Sequence, residues 1–196
     1  QIGVIPGAVA IGVHLFSRIL GEGVFVVRAQ NEVALLEADL DVATWTNDLG
    51  VGTNGTATVR ARTVGGGGSV YVLMDTSDCP GAGEQCLAKI SPDGTREWTR
   101  AVQDPPYYGA LAPDGSDGVF YALRTPAGFG YLVVHMDADG EELSSELLTF
   151  DSPPSAFARL SPDGQGGVVL AGAYGDQDPN TAGEVSNDQS FLIRLD

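Results

Sequence analysis

Short apolar runs rich in β-branched and aromatic residues recur along this chain at nearly constant spacing. They are Gly23-Val24-Phe25-Val26-Val27, Ser69-Val70-Tyr71-Val72-Leu73, Gly118-Val119-Phe120-Tyr121-Ala122 and Gly167-Val168-Val169-Leu170-Ala171, with the leading valines 46, 49 and 49 residues apart. Such composition favours strands. Near-continuous apolar character predicts that both faces of each strand are covered, and no window shows a clean helical period. A further apolar run follows each one: Glu32 to Leu36, Cys86 to Ile90, Tyr131 to Met136 and Phe191 to Leu195. Outer strands are expected at Ala43 to Leu49, Arg96 to Val102 and Leu143 to Phe150, and first strands at Val9 to Phe16, Ala57 to Val64, Gly109 to Ala112 and Ala156 to Leu160.

The connections repeat as well. Leu160-Ser161-Pro162-Asp163-Gly164-Gln165-Gly166-Gly167-Val168 matches Leu111-Ala112-Pro113-Asp114-Gly115-Ser116-Asp117-Gly118-Val119 at an offset of 49. Each copy reads as strand, tight turn with glycine where φ must be positive, and strand. Asp93-Gly94 and Asp139-Gly140 suit the later hairpins. The repeat therefore predicts an all-β chain, a β-propeller of four four-stranded antiparallel blades. Its units span residues 8–50, 56–102, 108–150 and 156–196 of one domain covering 1–196. The fourth unit has no outer strand, and residues 2–5 form an extra one expected to pair with Phe191 to Leu195 and close the ring, removing an open edge. A segment of a larger propeller, or strand exchange between copies, is the alternative.

Composition sharpens this picture. The 27 glycines suit a turn-rich fold. A formal charge of −16 repels phosphate backbones and anionic surfaces, which argues against nucleic acid as a partner. Cys79 and Cys86 flank a Pro-Gly turn, so a hairpin disulfide is the natural reading, and it would place the chain in an oxidising compartment. Residues 2–16 are apolar but too short for a membrane helix and contain Pro6, so membrane insertion is not expected. Gln1 in place of a methionine leads to the expectation of a processed chain or a piece of a longer one.

The strand Gly166-Gly167-Val168-Val169-Leu170-Ala171-Gly172, followed by Ser190-Phe191-Leu192-Ile193-Arg194-Leu195, resembles the repeats of secreted bacterial β-propellers, often called SBBP repeats. The same pattern runs from Leu87-Ala88-Lys89-Ile90 through Ser91-Pro92-Asp93-Gly94 into Glu97-Trp98. The resemblance covers most of residues 8–196. Ala38-Asp39-Leu40-Asp41 departs from its Asp-Gly turn. It implies an extracellular structural or binding module and no particular activity.

Candidate chemistry is sparse. His14 and His135 fall within strands, where histidine is usually a packing or surface residue. No nucleophile elbow, phosphate loop or paired-histidine metal motif occurs. Asp137 to Glu142 has the carboxylate density of a calcium loop, but a hairpin turn fits its Asp-Gly better. Residues 174–189 read as a long acidic loop in which Asp176, Asp178 and Asn180 are the candidate calcium ligands, with a solvated loop as the simpler reading. Asn54-Gly55-Thr56 matches a glycosylation sequon and also a turn pair; the turn is the better fit. No other cofactor is expected.

Loops between second and third strands emerge on the same side as loops between units. That side collects residues 76–85, 103–108, 151–155 and 174–189, and Tyr107 and Tyr108 are its candidate contact aromatics. The expected function is an extracellular, cell-surface or periplasmic interaction module that holds a protein, a glycan or further copies of itself on this face. The alternatives are a hydrolase or lyase acting in a central channel, with no catalytic residue assignable, and a strand-exchanging filament subunit.

Overall fold

A computed structural model describes residues 14–15, 23–28, 32–37, 43–48, 58–76, 79–80, 85–102, 109–125, 129–151, 154, 158–177 and 185–196. They form four antiparallel sheets with consecutive strands paired in order. The first holds β1 (His14–Leu15), β2 (Gly23–Arg28), β3 (Glu32–Glu37) and β4 (Ala43–Asp48), and the second β5 (Thr58–Val64), β6 (Val70–Asp75), β7 (Gln85–Ile90) and β8 (Arg96–Ala101). The third holds β9 (Gly109–Pro113), β10 (Val119–Arg124), β11 (Gly130–Met136) and β12 (Glu142–Thr149). In the fourth, β13 (Arg159–Pro162), β14 (Val168–Gln177) and β15 (Val185–Leu195) make three strands.

The repeat seen in sequence is thus a repeat of sheets, and its register is conserved from sheet to sheet. Val24 pairs with Leu36, Val70 with Ile90, Val119 with Met136 and Val168 with Leu195. The third and fourth strands of the first three sheets carry the same irregularity, after Leu35, Lys89 and His135, so the outer strand is re-aimed at one recurring place. Pro113 and Pro162 end β9 and β13, which pair on one side only, where a missing N–H costs nothing.

Alternation along each strand sends residues to two faces, and in the second and third sheets both are buried. Tyr71, Leu73 and Leu87 pack on Val119, Tyr121, Leu123, Val134 and Met136 of the third sheet. The opposite face of that sheet, with Phe120, Ala122, Tyr131 and Val133, packs on Val168, Leu170 and Leu195 of the fourth. The third sheet is therefore the filling of a three-layer stack. Apolar contact over both faces stabilises each fully buried large side chain by about 1.5–3 kcal/mol. The expectation of two covered faces fails for the fourth sheet, where Val169 and Ala171 are only half-buried and Leu192 is 76% exposed.

Two other readings are corrected. Residues 174–189 are not one loop: the β14–β15 ladder continues through Tyr174↔Gln189, Asp176↔Ser186 and Gln177↔Val185, with an irregularity between Tyr174 and Asp176. Backbone pairing with β15 sets the structure there, and acidic composition does not prevent it. The first strand of the fourth unit also lies later than expected, at Arg159–Pro162. The closing strand expected at residues 2–5 and the turn at 38–41 lie outside the described residues.

Close approach of the second and third sheets depends on glycine. A Cβ on Gly66 would lie 2.0 Å from the Ser116 carbonyl oxygen, and one on Gly67 would lie 3.0 Å from the Asp117 carboxylate. The Gly65-Gly66-Gly67-Gly68 run thus replaces the Asp-Gly turn where the neighbouring turn is seated on it. Gly66→Ala is expected to lower the unfolding free energy by about 2 kcal/mol through overpacking. Gly164→Ala, at φ 79° with nothing within 4 Å, should cost about 1 kcal/mol through backbone strain alone. Urea denaturation midpoints measure both. A neutral Gly66→Ala would show that the two turns are not in contact.

Candidate functional site

The two ends of the stack are chemically different. At one end lie the connections 65–69, 91–95, 114–118, 137–141 and 163–167, each five residues long. All five close with the same bond, the first residue's N–H donating to the fifth residue's carbonyl, at 2.8 to 3.4 Å. Three begin with aspartate. Asp114 Oδ1 accepts from the N–H groups of Ser116 and Gly118, Asp137 Oδ1 from those of Asp139 and Glu141, and Asp163 Oδ1 from those of Gln165 and Gly167. In the turn at 91–95 the brace is Asp93, which accepts from the Ser91 hydroxyl and from the Thr95 N–H. These carboxylates hold turns, and the hairpin reading of 137–142 agrees with this geometry.

In the two turns that join first to second strands through aspartate, the second oxygen of Asp114 and of Asp163 meets a basic residue from the third strand. Register makes Lys89, His135 and Arg194 equivalent, facing Tyr71, Phe120 and Val169 across their ladders. His135 Nε2 lies 3.1 Å from Asp114 Oδ2 and its ring stacks on Phe120 at 4.0 Å, while Arg194 Nε donates to Asp163 Oδ2 at 2.7 Å. In the second sheet Gly65 occupies the aspartate position, and Lys89 reaches the third sheet instead. Its Nζ donates to Asp117 Oδ2 at 2.9 Å and to the Ala138 carbonyl at 3.0 Å, and pairs with Glu97 at 2.9 Å.

Lys89 is thus satisfied by three acceptors with only 4% of its side chain exposed. Burial opposes its charge, but the bonds from Asp117 and Glu97 outweigh that and raise its pKa. Trp98 Nε1 donates to the same Ala138 carbonyl, Arg100 reaches the Gly140 carbonyl and Glu141, and the Tyr71 hydroxyl donates to the Asp117 carbonyl. The short-turn end is therefore a lacing between sheets.

The opposite end carries the connections 76–84, 102–108, 125–129, 150–158 and 178–184, which vary in length. The Cys79–Cys86 disulfide is formed, with a Cα–Cα distance of 5.6 Å, and both residues join the buried cluster of Val70, Val72 and Met74. The disulfide therefore anchors the 76–84 connection to the core. Asp75 at the end of β6 accepts from Arg60 and, at 2.9 Å, from Gln85 Nε2, tying the ends of β5, β6 and β7 together. Beside the third sheet, Phe129 is 50% exposed while its carbonyl accepts from the Phe150 N–H at 2.8 Å. Sequence reasoning missed this aromatic. A bulky apolar residue between Gly128 and Gly130, ahead of a strand, was the available signal.

Tyr107, Tyr108, Asp178 and Asn180 lie outside the described residues, as does the side chain of Asp176, whose backbone belongs to β14. His14 lies on β1. Among the described residues, no group of three or more His, Cys, Asp or Glu side chains is placed to hold a metal ion. No helix among them is long and apolar enough to cross a membrane.

No family model and no curated protein matches the chain. Among solved structures it is similar to a protein of unknown function from Bacteroides caccae, at 14% identity and a TM-score of 0.47, over 81% of this chain and 54% of that one. It is also similar to the WD40 domain of SCAP from fission yeast, at 7% identity and a TM-score of 0.41, over 90% of this chain and 60% of that one. The chain thus spans less than two thirds of either neighbour. At these scores neither likeness carries an argument about fold or activity.

The turn aspartates make stability pH-dependent. Asp163 is held below the ordinary carboxylate value first by the Gln165 N–H and then by Arg194, and Asp93 first by the Ser91 hydroxyl. For Asp114 burial acts upward, but bonds from Ser116, His135 and Gly118 overcome it. Because the folded values lie below the unfolded value of about 3.9, this stabilisation is complete above that pH and is lost as pH falls through the folded values. Urea midpoints are expected to fall below about pH 4, and less steeply in Asp114→Asn. Unchanged slopes in that variant would contradict the role given to the Asp114 carboxylate.

Proposed function

We propose that the chain is an interaction module of β-propeller type that binds a partner through its loop-rich end. The observation that carries this reading is the division of labour between the two ends. On the short-turn end the carboxylates of Asp93, Asp114, Asp137 and Asp163 are engaged by turn N–H groups, and Lys89, His135 and Arg194 by acidic neighbours. Recognition chemistry there is already used by the fold. The loop-rich end combines connections of different length with a disulfide anchor and an exposed Phe129, which is how rigid scaffolds present binding loops.

Stacking of like sheets, with the first strand of the third sheet adjoining the first strands of the second and fourth, supports the propeller reading. The partner class proposed is an extracellular or cell-surface protein or glycan, and Tyr107 and Tyr108, in the sequence between β8 and β9, are proposed as contact residues in addition to Phe129. A disulfide anchored in the core supports an oxidising compartment, hence secretion or the periplasm. Calcium held by Asp176, Asp178 and Asn180 remains a proposal, to be read out by calorimetric titration of calcium into the purified chain. The channel-enzyme alternative is less favoured because, among the described first strands, β5, β9 and β13 contain no Asp, Glu or His and β1 contributes only His14.

Glycan and extracellular-protein arrays probed with the labelled chain test the reading. Phe129→Ser and Tyr107→Ser/Tyr108→Ser should each weaken any captured ligand about tenfold or more, as loss of an aromatic anchor does. Phe129→Ser should leave the urea midpoint nearly unchanged, and Asp93→Asn at the opposite end should leave binding intact. Binding lost in Asp93→Asn but retained in the aromatic variants would place the interface on the wrong end.

A further inference from the structure

One face of the fourth sheet corresponds, position by position, to faces that the second and third sheets bury. Tyr71, Leu73, Leu87 and Lys89 are equivalent in register to Phe120, Ala122, Val133 and His135, and to Val169, Ala171, Leu192 and Arg194. Leu73 and Leu87 are fully buried, and Ala122 and Val133 nearly so, but Leu192 is 76% exposed. Arg194, the counterpart of the buried Lys89, has 58% of its side chain in solvent.

The two buried instances show what such a face accepts. The second sheet is covered by Val119, Tyr121, Val134 and Met136, and the third by Val168, Leu170, Ile193 and Leu195. Both covering sets are the alternate positions of β10–β11 and β14–β15. The first sheet repeats them in register at Val24, Val26, Ala34 and Leu36, equivalent to Val70, Val72, Ala88 and Ile90. The chain therefore carries both an uncovered face and, by register and sequence, a fourth copy of the apolar positions that cover such a face elsewhere.

We propose that the Val169–Ala171–Leu192 face of the fourth sheet is a docking surface for a second copy of this chain, which lays the Val24, Val26, Ala34 and Leu36 positions of its first sheet over Leu192. Arg194 does not oppose this contact, because its charge is met by Asp163 and Asp196. The contact joins two different surfaces, so it closes into a ring when made reciprocally and runs into a filament when not. Two copies closing reciprocally bring eight sheets together, within the size range of propellers. Because the formal charge of −16 opposes association while the contact itself is apolar, added salt strengthens it. The inference rests on the observed stacking of sheets and is independent of what the loop-rich end binds.

Sedimentation equilibrium of the whole chain over a wide concentration range, at low and high salt, is the test. The wild type is expected to exceed the monomer mass as concentration rises, more so in high salt. Leu192→Asp should abolish the larger species with an unchanged circular dichroism spectrum, whereas Leu147→Asp, at a position 58% exposed on β12, should associate like the wild type. Leu192→Cys adds an independent readout, since its alkylation rate should fall with rising protein concentration. A monomer at all concentrations would overturn the proposal, whether Leu192→Cys reacts freely or is shielded by the chain's own first sheet. Association that survives Leu192→Asp, or that is lost equally in Leu147→Asp, would also overturn it.

Discussion

The structure depends on face-to-face packing of sheets that are apolar on both sides. A sheet with two apolar faces has no stable place at a protein surface, so each one calls for a neighbour on either side. The third sheet meets this demand fully, between Tyr71 and Leu87 on one side and Val168 and Leu170 on the other. Everything else follows from how closely the sheets can approach. Gly66 and Gly67 admit the turn at 114–118, and Gly140 admits the Trp98 indole, whose ring atoms would lie 2.9 to 3.2 Å from a Cβ at that glycine.

Polar groups then fix the stacking that apolar contact permits. Burying an ammonium group costs several kcal/mol unless it is fully bonded, and Lys89 meets that condition with Asp117, Glu97 and the Ala138 carbonyl. Apolar faces alone tolerate sliding. The three acceptors of Lys89 sit on two sheets and specify one relative position. The aspartate-braced turns have the same effect locally, and together they leave the short-turn end with its turn carboxylates bonded to the fold's own donors. The chemical difference between the two ends is thus a consequence of how the stack is held.

Much of this was legible in the sequence. The valines at 24, 70, 119 and 168 mark four second strands because spacing and β-branched composition point the same way, and each proves to begin at or within one residue of the observed strand. Asp114 and Asp163 announce turns because an Asp-Gly pair needs the positive φ of 90° and 79° that Gly115 and Gly164 adopt. The lacing was not legible. Lys89 looks like a solvated residue in a strand until the register shows it equivalent to His135 and Arg194 and Gly65 is seen to have lost its aspartate. The acidic stretch at 174–189 misled because charge density suggests solvation, while ladder pairing is decided by the partner strand. Of the candidate site, the disulfide followed from a short loop with a turn between its cysteines. Phe129 did not, since exposure of a residue just ahead of a strand is a property of the packed fold and not of its local sequence.

The most direct test of the stacked arrangement is the proton chemical shift of Gly140. Its pro-S hydrogen occupies the place of the Cβ that would touch the Trp98 ring, which belongs to the preceding sheet. Solution NMR should find that Hα displaced upfield of the usual glycine range, with a nuclear Overhauser contact to the indole, and both should vanish in Trp98→Leu while the β12 signals persist. An unshifted Gly140 Hα with no indole contact in the folded wild-type chain would contradict the face-to-face packing of the second and third sheets.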